Sequence, residues 1–186
     1  MGSDSGIIGE LARDHHRIQG LLDRTRSARP GSEERTSLVE EAGKRLVRHL
    51  VVEKEYLHPL LRRHMLDGEE WEGNLLAVDR SIEETLKSLE QVPPSGERHT
   101  ELLLTLMSDV TRHVVEQEQR VFPRLQALSP AAELRDAGSE AREAEAVAPT
   151  RPRPEAPDSP ALTRLTSSVW GPWDRLRDRL SRRGLL

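Results

Sequence analysis

Two stretches of this chain carry residues whose types and spacing suit metal coordination. In RHLVVEKEYLHP, His49 and Glu53 stand four residues apart; in RHVVEQEQRVFP, His113 and Pro123 follow His49 and Pro59 by 64 positions each. A spacing of four puts both side chains on one side of an α-helix, one turn apart and about 40° around it. An imidazole and a carboxylate so placed form a chelating pair for a divalent cation. The second copy keeps the histidine but has Gln117 where the first has Glu53.

The same offset links other residues: Leu11 with Leu75, Ile18 with Ile82, Leu22 with Leu86, Arg48 with Arg112 and Leu61 with Leu125. The chain therefore reads as one helical hairpin used twice, and His15 corresponds to Asp79. His15 lies on the stripe of Ile8, Leu11, Ile18 and Leu22; Asp79 on that of Leu75, Leu76, Ile82 and Leu86. His49 and Glu53 are flanked by Ala42 and Leu46, while His113 and Gln117 share the stripe of Leu106, Val110 and Val121. Each helix sends a polar group inward. A single inward histidine is as a rule a hydrogen-bonded core residue. Three histidines and two carboxylates in one interior, if unpaired, would each cost roughly several kcal/mol. A divalent cation removes that cost, because it needs neutral imidazoles and ionised carboxylates. The donor set suits iron, manganese or zinc, and the lack of thiolate argues against copper(I).

Four segments must position these residues. Apolar residues recur with helical period around Ile8–Leu22, Leu38–Leu60, Leu75–Leu89 and Leu102–Val121. SARPGSEE, DGEEWEG and QVPPSGER separate them, each with the Gly or Pro that ends helices. The expected fold is all-α, an up-down-up-down four-helix bundle over residues 1–130. Residues 131–160 read as an Ala/Glu-rich stretch, at best a loosely docked helix extension, and then a Pro-rich extended linker. Residues 161–186 return to helical spacing as a flexible C-terminal tail. There Val169, Trp170, Trp173, Leu176 and Leu180 oppose Arg175, Arg179 and Arg182 on a helical wheel.

Composition narrows the chemistry. There is no cysteine, which excludes disulfides, thiolate metal sites and thiol catalysis. Aromatic residues are 3% of the chain, so the core must be built from Leu, Val and Ile. The net charge of -4 does not suggest nucleic acid. Residues 161–186, with six Arg against two Asp, differ in kind from the rest. Their amphipathic pattern fits docking on the bundle, a partner protein or an anionic membrane surface. No apolar run approaches a membrane span, and MGSDSGIIGELARDHH does not resemble a signal peptide, so the cytoplasm is the default location.

DHHRIQGLL, RHLVVEKEYLHP and RHVVEQEQRVFP resemble the hemerythrin-like HHE cation-binding domain, over roughly residues 7–128. The Pro-rich linker and Arg-rich ending are similar to those of a bacterial subgroup of these proteins. The resemblance implies a four-helix bundle holding a non-haem di-iron centre. It places one His on the first and third helices and His plus Glu on the second and fourth. His15, His49, Glu53 and His113 match that pattern. Asp79 stands where the third helix would carry His, and Gln117 where the fourth would carry a bridging Glu. The expected ligand set is therefore His15, His49, Glu53, Asp79, His113 and Gln117. Its two carboxylates keep a formal charge of -2, but neutral Gln117 makes a mononuclear or weakly occupied site an alternative to di-iron.

Other polar residues carry less. His16 and His58 are read as surface positions, and His64 as a cap at the bundle end. Tyr56, one turn past Glu53, is read as core packing. Glu116 and Glu118 lie about 100° either side of Gln117 and reach inward only if the helix is distorted. No nucleophile triad or phosphate loop is present. The function implied is iron binding, with a small diatomic ligand bound or sensed, or iron handled. The alternatives are an iron enzyme acting on peroxide or nitric oxide, and a degenerate bundle serving as an interaction module.

Overall fold

A computed structural model describes residues 6–154 and Asp174. Among them the regular structure is helical: α1 (Ile7–Ser27), α2 (Glu33–Val52), α3 (His58–His64), α4 (Gly68–Leu89), α5 (Glu97–Glu116), α6 (Phe122–Leu128) and α7 (Ala131–Val147). Single π-helical turns, Glu53–Leu57 and Gln117–Val121, join α2 to α3 and α5 to α6. The bundle thus comprises α1, the composite α2–α3, α4 and the composite α5–α6, with α1 packed on α2 and α4 on α5. Short connections fold each helix back on the last, as the sequence leads one to expect. Ser32 starts α2 by accepting a hydrogen bond from the Arg35 amide at 3.2 Å.

The break before α4 is shorter than the sequence suggests, because Gly68 already begins the helix. A Cβ at residue 68 would lie 2.1 Å from the Leu61 carbonyl oxygen, so only glycine admits this tight return. Asp67 secures it, accepting from Trp71 Nε1 at 2.9 Å and from Arg124 at 3.0 Å.

The two π turns have one cause. Pro59 and Pro123 lack an amide hydrogen, and each ring would press on the carbonyl four residues earlier in a regular helix. The helix widens instead, so the His58 amide bonds to the Glu53 carbonyl and the Phe122 amide to the Gln117 carbonyl. Each wide turn takes up about one extra residue and sets back the phase of the helix beyond it by about 100°.

The core has two apolar parts separated by a polar layer. One part contains Ile18, Leu46, Leu50, Ile82, Leu103, Leu106 and Val110. The other contains Ile7, Leu11, Leu57, Leu61, Leu75, Val121 and Leu125. His15 lies between Leu11 and Ile18 on α1, and Asp79 between Leu75 and Ile82 on α4. The layer is therefore closed above and below by hydrocarbon.

Residues 131–147, expected as a linker or loose extension, form a fifth helix packed along α1 and α2. Leu134 and Ala141 are buried in the second apolar cluster. Glu133 bridges to Arg63 and accepts from His64 Nε2 at 2.7 Å, while Arg142 reaches Glu10. Gly138 explains how a helix with so few large apolar residues docks: its Cα comes against the backbone at the start of α1. A Cβ there would lie 2.6 Å from the Gly6 carbonyl carbon and the Ile7 nitrogen. Beyond α7, Ala148 and Thr150 are buried, and the Arg153 amide donates to Glu83 of α4 at 3.1 Å. Asp174 accepts from the amides of Thr150 and Arg151 and pairs with Arg153 at 2.7 Å. Apart from Asp174, the amphipathic pattern expected over 161–186 lies outside the described residues. No helix among the described residues is long and apolar enough to cross a membrane.

Gly138→Ala tests the docking by its sign. On a free helix the change stabilises by about 1 kcal/mol. Here the added methyl must push α7 off α1, and we expect a net loss of about 1–3 kcal/mol in denaturant unfolding. A more stable variant would mean that α7 does not pack as described.

Candidate metal centre

Glu53 is the hub of the polar layer. It begins the first π turn, is fully buried, and points between α1, α2 and α5. Its Oε1 lies 2.8 Å from His49 Nε2, 3.3 Å from His113 Nε2 and 4.0 Å from His15 Nε2. One donor atom from each of these four residues falls within 4.8 Å of the others. The rings surround a common space, with centroids 4.7 Å apart for His15–His49, 5.6 Å for His15–His113 and 5.7 Å for His49–His113.

These atoms approach one another without pairing. Nε2 of all three histidines and both Glu53 oxygens lack a hydrogen-bond partner, close as they are. Their donor atoms gather around one small volume. The opposite ring nitrogens face carboxylates: His15 Nδ1 is 2.9 Å from Glu118, His113 Nδ1 is 3.5 Å from Asp79, and His49 Nδ1 is 3.9 Å from Asp14. The hydrogen-bonded carboxylate behind His15 fixes the tautomer that leaves its inner nitrogen free to coordinate, while Asp79 and Asp14 stand behind the other two rings without a hydrogen bond. Phe122 lies parallel to the His15 ring at a centroid distance of 5.7 Å and shields it.

The electrostatics of the cluster itself favour a cation. Burial pushes the Glu53 carboxyl up, but the His49 and His113 imidazoles prevail and hold it well below the usual carboxylate range. Burial pulls His49 down, and the Glu53 and Asp14 carboxylates override it, raising the group to about 10. His113 is raised against its burial, chiefly by Glu53. His15 falls well below the ordinary imidazole value, first from burial and then from the charge on His49. Burial, reinforced by Glu53, pushes Asp79 up to about 7. A divalent ion would meet the same negative charge without requiring a protonated imidazole.

The structure brings together His15, His49, Glu53 and His113, with Asp79 beside His113. Gln117 is fully buried at the matching place on the other composite helix, and both of its amide atoms are without a partner. Glu118 reaches His15 because the second π turn supplies the distortion this needs. His58, which its spacing assigns to the surface, is fully buried. In a regular helix it would lie opposite His49, about 180° away; the wide turn brings that to about 80°. Burial holds its imidazole down at about 4. His16 is exposed, His64 binds Glu133, and Tyr56 packs half-buried against the second apolar cluster. Sequence reasoning missed Asp14 and Glu72, the acid 3.9 Å from His58 Nδ1. Glu72 precedes Asp79 by two helical turns on the same face, a signal hidden by reading 67–73 as a break.

Comparison with known proteins agrees with this geometry. Residues 6–125 match the model of the hemerythrin HHE cation binding domain. An uncharacterized hemerythrin-like protein of Schizosaccharomyces pombe is 26% identical over 178 residues, covering 95% of this chain and 87% of the relative. The crystal structure of a hemerythrin HHE cation binding domain-containing protein from Mycobacterium kansasii superposes with a TM-score of 0.66 at 22% identity. That match covers 76% of this chain and 85% of that one, and it shows the shared fold. The family match spans well over half of the sequence, and the buried donors suit the group it implies: the chain belongs to the hemerythrin HHE cation-binding family and is a metal-binding protein.

Proposed function

We propose that the protein holds non-haem iron between His15, His49, His113 and Glu53 and uses it to bind or sense a small diatomic ligand. The observation that carries this reading is the set of inward Nε2 atoms and Glu53 oxygens, all buried and none hydrogen-bonded. Three imidazoles and one carboxylate suit a divalent first-row metal, and four protein donors leave room for a further small ligand. When bound, iron supplies an exchangeable coordination position and a change of oxidation state. The protein supplies the rest. Glu118 orients the His15 imidazole, Asp79 and Asp14 place negative charge behind the other two rings, Glu53 sets the charge between them, and Phe122 with the two apolar clusters keeps bulk water out.

Iron at about 100 times its dissociation constant stabilises the folded state by about 2.7 kcal/mol. In Glu53→Gln that metal-dependent gain should largely vanish, with iron per chain falling in elemental analysis. An unchanged gain would make Glu53 a structural core residue. Nitric oxide added anaerobically to the ferrous protein should change its absorption spectrum and be released on purging. Continuous consumption of nitric oxide or peroxide would instead favour the enzymatic alternative, and no spectral response would favour iron handling.

A further inference from the structure

Helix α7 lies beyond residues 6–125, the span that matches the family model, so its role is not set by the family's ligand pattern. It packs along α1 and α2 and touches the π turn that Glu53 begins. Its anchors fall on both sides. Toward α1, Gly138 brings its backbone against Gly6 and Ile7, and Arg142 pairs with Glu10. Toward α2 and α3, Glu133 holds Arg63 and His64, and Glu145 stands 3.9 Å from Arg45.

The metal donors divide in the same way. His15 belongs to α1, His49 to α2, and Glu53 to the π turn that follows α2. Arg45 joins the two systems. Its guanidinium donates to Asp14 Oδ1 on α1 at 3.3 Å, and the other oxygen of Asp14 is the one 3.9 Å from His49 Nδ1. Asp14 is buried, which leaves these charges little screened by water. A chain of alternating charges therefore runs from Glu145 on α7 through Arg45 and Asp14 to a ring of the metal centre.

We propose that docking of α7 and occupation of the metal centre reinforce each other, with Arg45 and Glu145 as positioning residues for His49. The proposal rests on the polar layer being a metal site. Its sign follows from what each event fixes. Shared ligation by His15, His49 and Glu53 holds α1 against α2 at one separation and one rotation. Docked α7 holds the same pair. Whichever comes first removes freedom that the second would otherwise have to remove, so each strengthens the other. By linkage the factor is the same in both directions.

The docking is light enough to respond. The apolar side chains α7 buries, Leu134 and Ala141, are few, and its ion pairs involve exposed Arg63 and Arg142. Pairs of that kind contribute little, so α7 can open while the bundle stays folded. An empty centre lets it open more often. The state of a buried site thus becomes readable at the surface.

Full-length protein is stripped with chelator and reloaded anaerobically with Fe2+, and separately with Mn2+. Hydrogen exchange is followed in peptides covering 131–147, and the metal dissociation constant is measured by competition with a chelator. We expect loading to slow exchange in these peptides by about fivefold or more, the lower end of usual coupling. Gly138→Ala, which pushes α7 off α1, should weaken metal binding by a similar factor. Glu145→Gln, which keeps size and removes charge, should weaken it in the same direction. Leu102→Ala loosens the apolar cluster that α7 does not join, and should leave the constant unchanged. No uptake by the wild type overturns the metal reading and the coupling with it. Metal bound with exchange over 131–147 unaltered, or bound equally well by Gly138→Ala, overturns the coupling alone. An equal loss in Leu102→Ala also overturns it, because general loosening would then explain the effect. Binding by Glu145→Gln as tight as in wild type overturns the relay through Arg45. If Gly138→Ala does not fold, Arg142→Gln combined with Glu145→Gln decides in its place.

Discussion

The structure is organised around one fully buried carboxylate. An ionised Glu53 in a dry interior is intolerable alone; the idealised cost of bringing such an ion from water into a low-dielectric medium is of order 20 kcal/mol. The chain answers by facing it with imidazoles from three helices and raising the basicity of the nearest, His49, to about 10. That arrangement requires α1, α2 and α5 to meet at one level, and it forces the apolar core into two parts, one on each side. The two clusters hold the bundle together. The polar layer fixes how the helices are rotated and at what height they align, because any slip would leave the charge uncompensated.

Much of this is legible in the residues. The repeat at 64 positions, the inward phase of His15, His49, Glu53 and His113, and the helical hairpins all come from period and spacing. Departures from ideal geometry are what the sequence hides. Counting phase along a regular helix assigns His58 to the surface, where it does not lie. The corrective signal, Pro59 and Pro123 at the same offset, is in plain view, but its effect depends on how the helix relieves a proline clash. The docking of α7 escapes for another reason. Small residues such as Gly138 and Ala141 carry little hydrophobic signal, and they pack by letting backbones approach rather than by presenting large side chains.

The two halves of the repeat have kept their scaffold and diverged in their donors. Each retains the π turn, the following proline and an inward histidine on the longer composite helix. Glu53 and Gln117 begin those turns at equivalent depth, and both are fully buried. The site is consequently lopsided: the anionic charge gathers on Glu53 and Asp79, while the Gln117 side contributes size without charge. The carboxylates behind the imidazoles come from unrelated places, Asp14 and Glu72 from regular helix and Glu118 from the second π turn.

The wide turn after Glu53 has a consequence for how such proteins are found. Pattern searches for helical chelating pairs look for spacings of three and four, since those residues are neighbours on an ordinary helix. A turn closed by a bond from residue 58 to residue 53 makes neighbours of positions five apart. Glu followed five residues later by His, with proline immediately after, is thus a spacing that ordinary motif grammar discards.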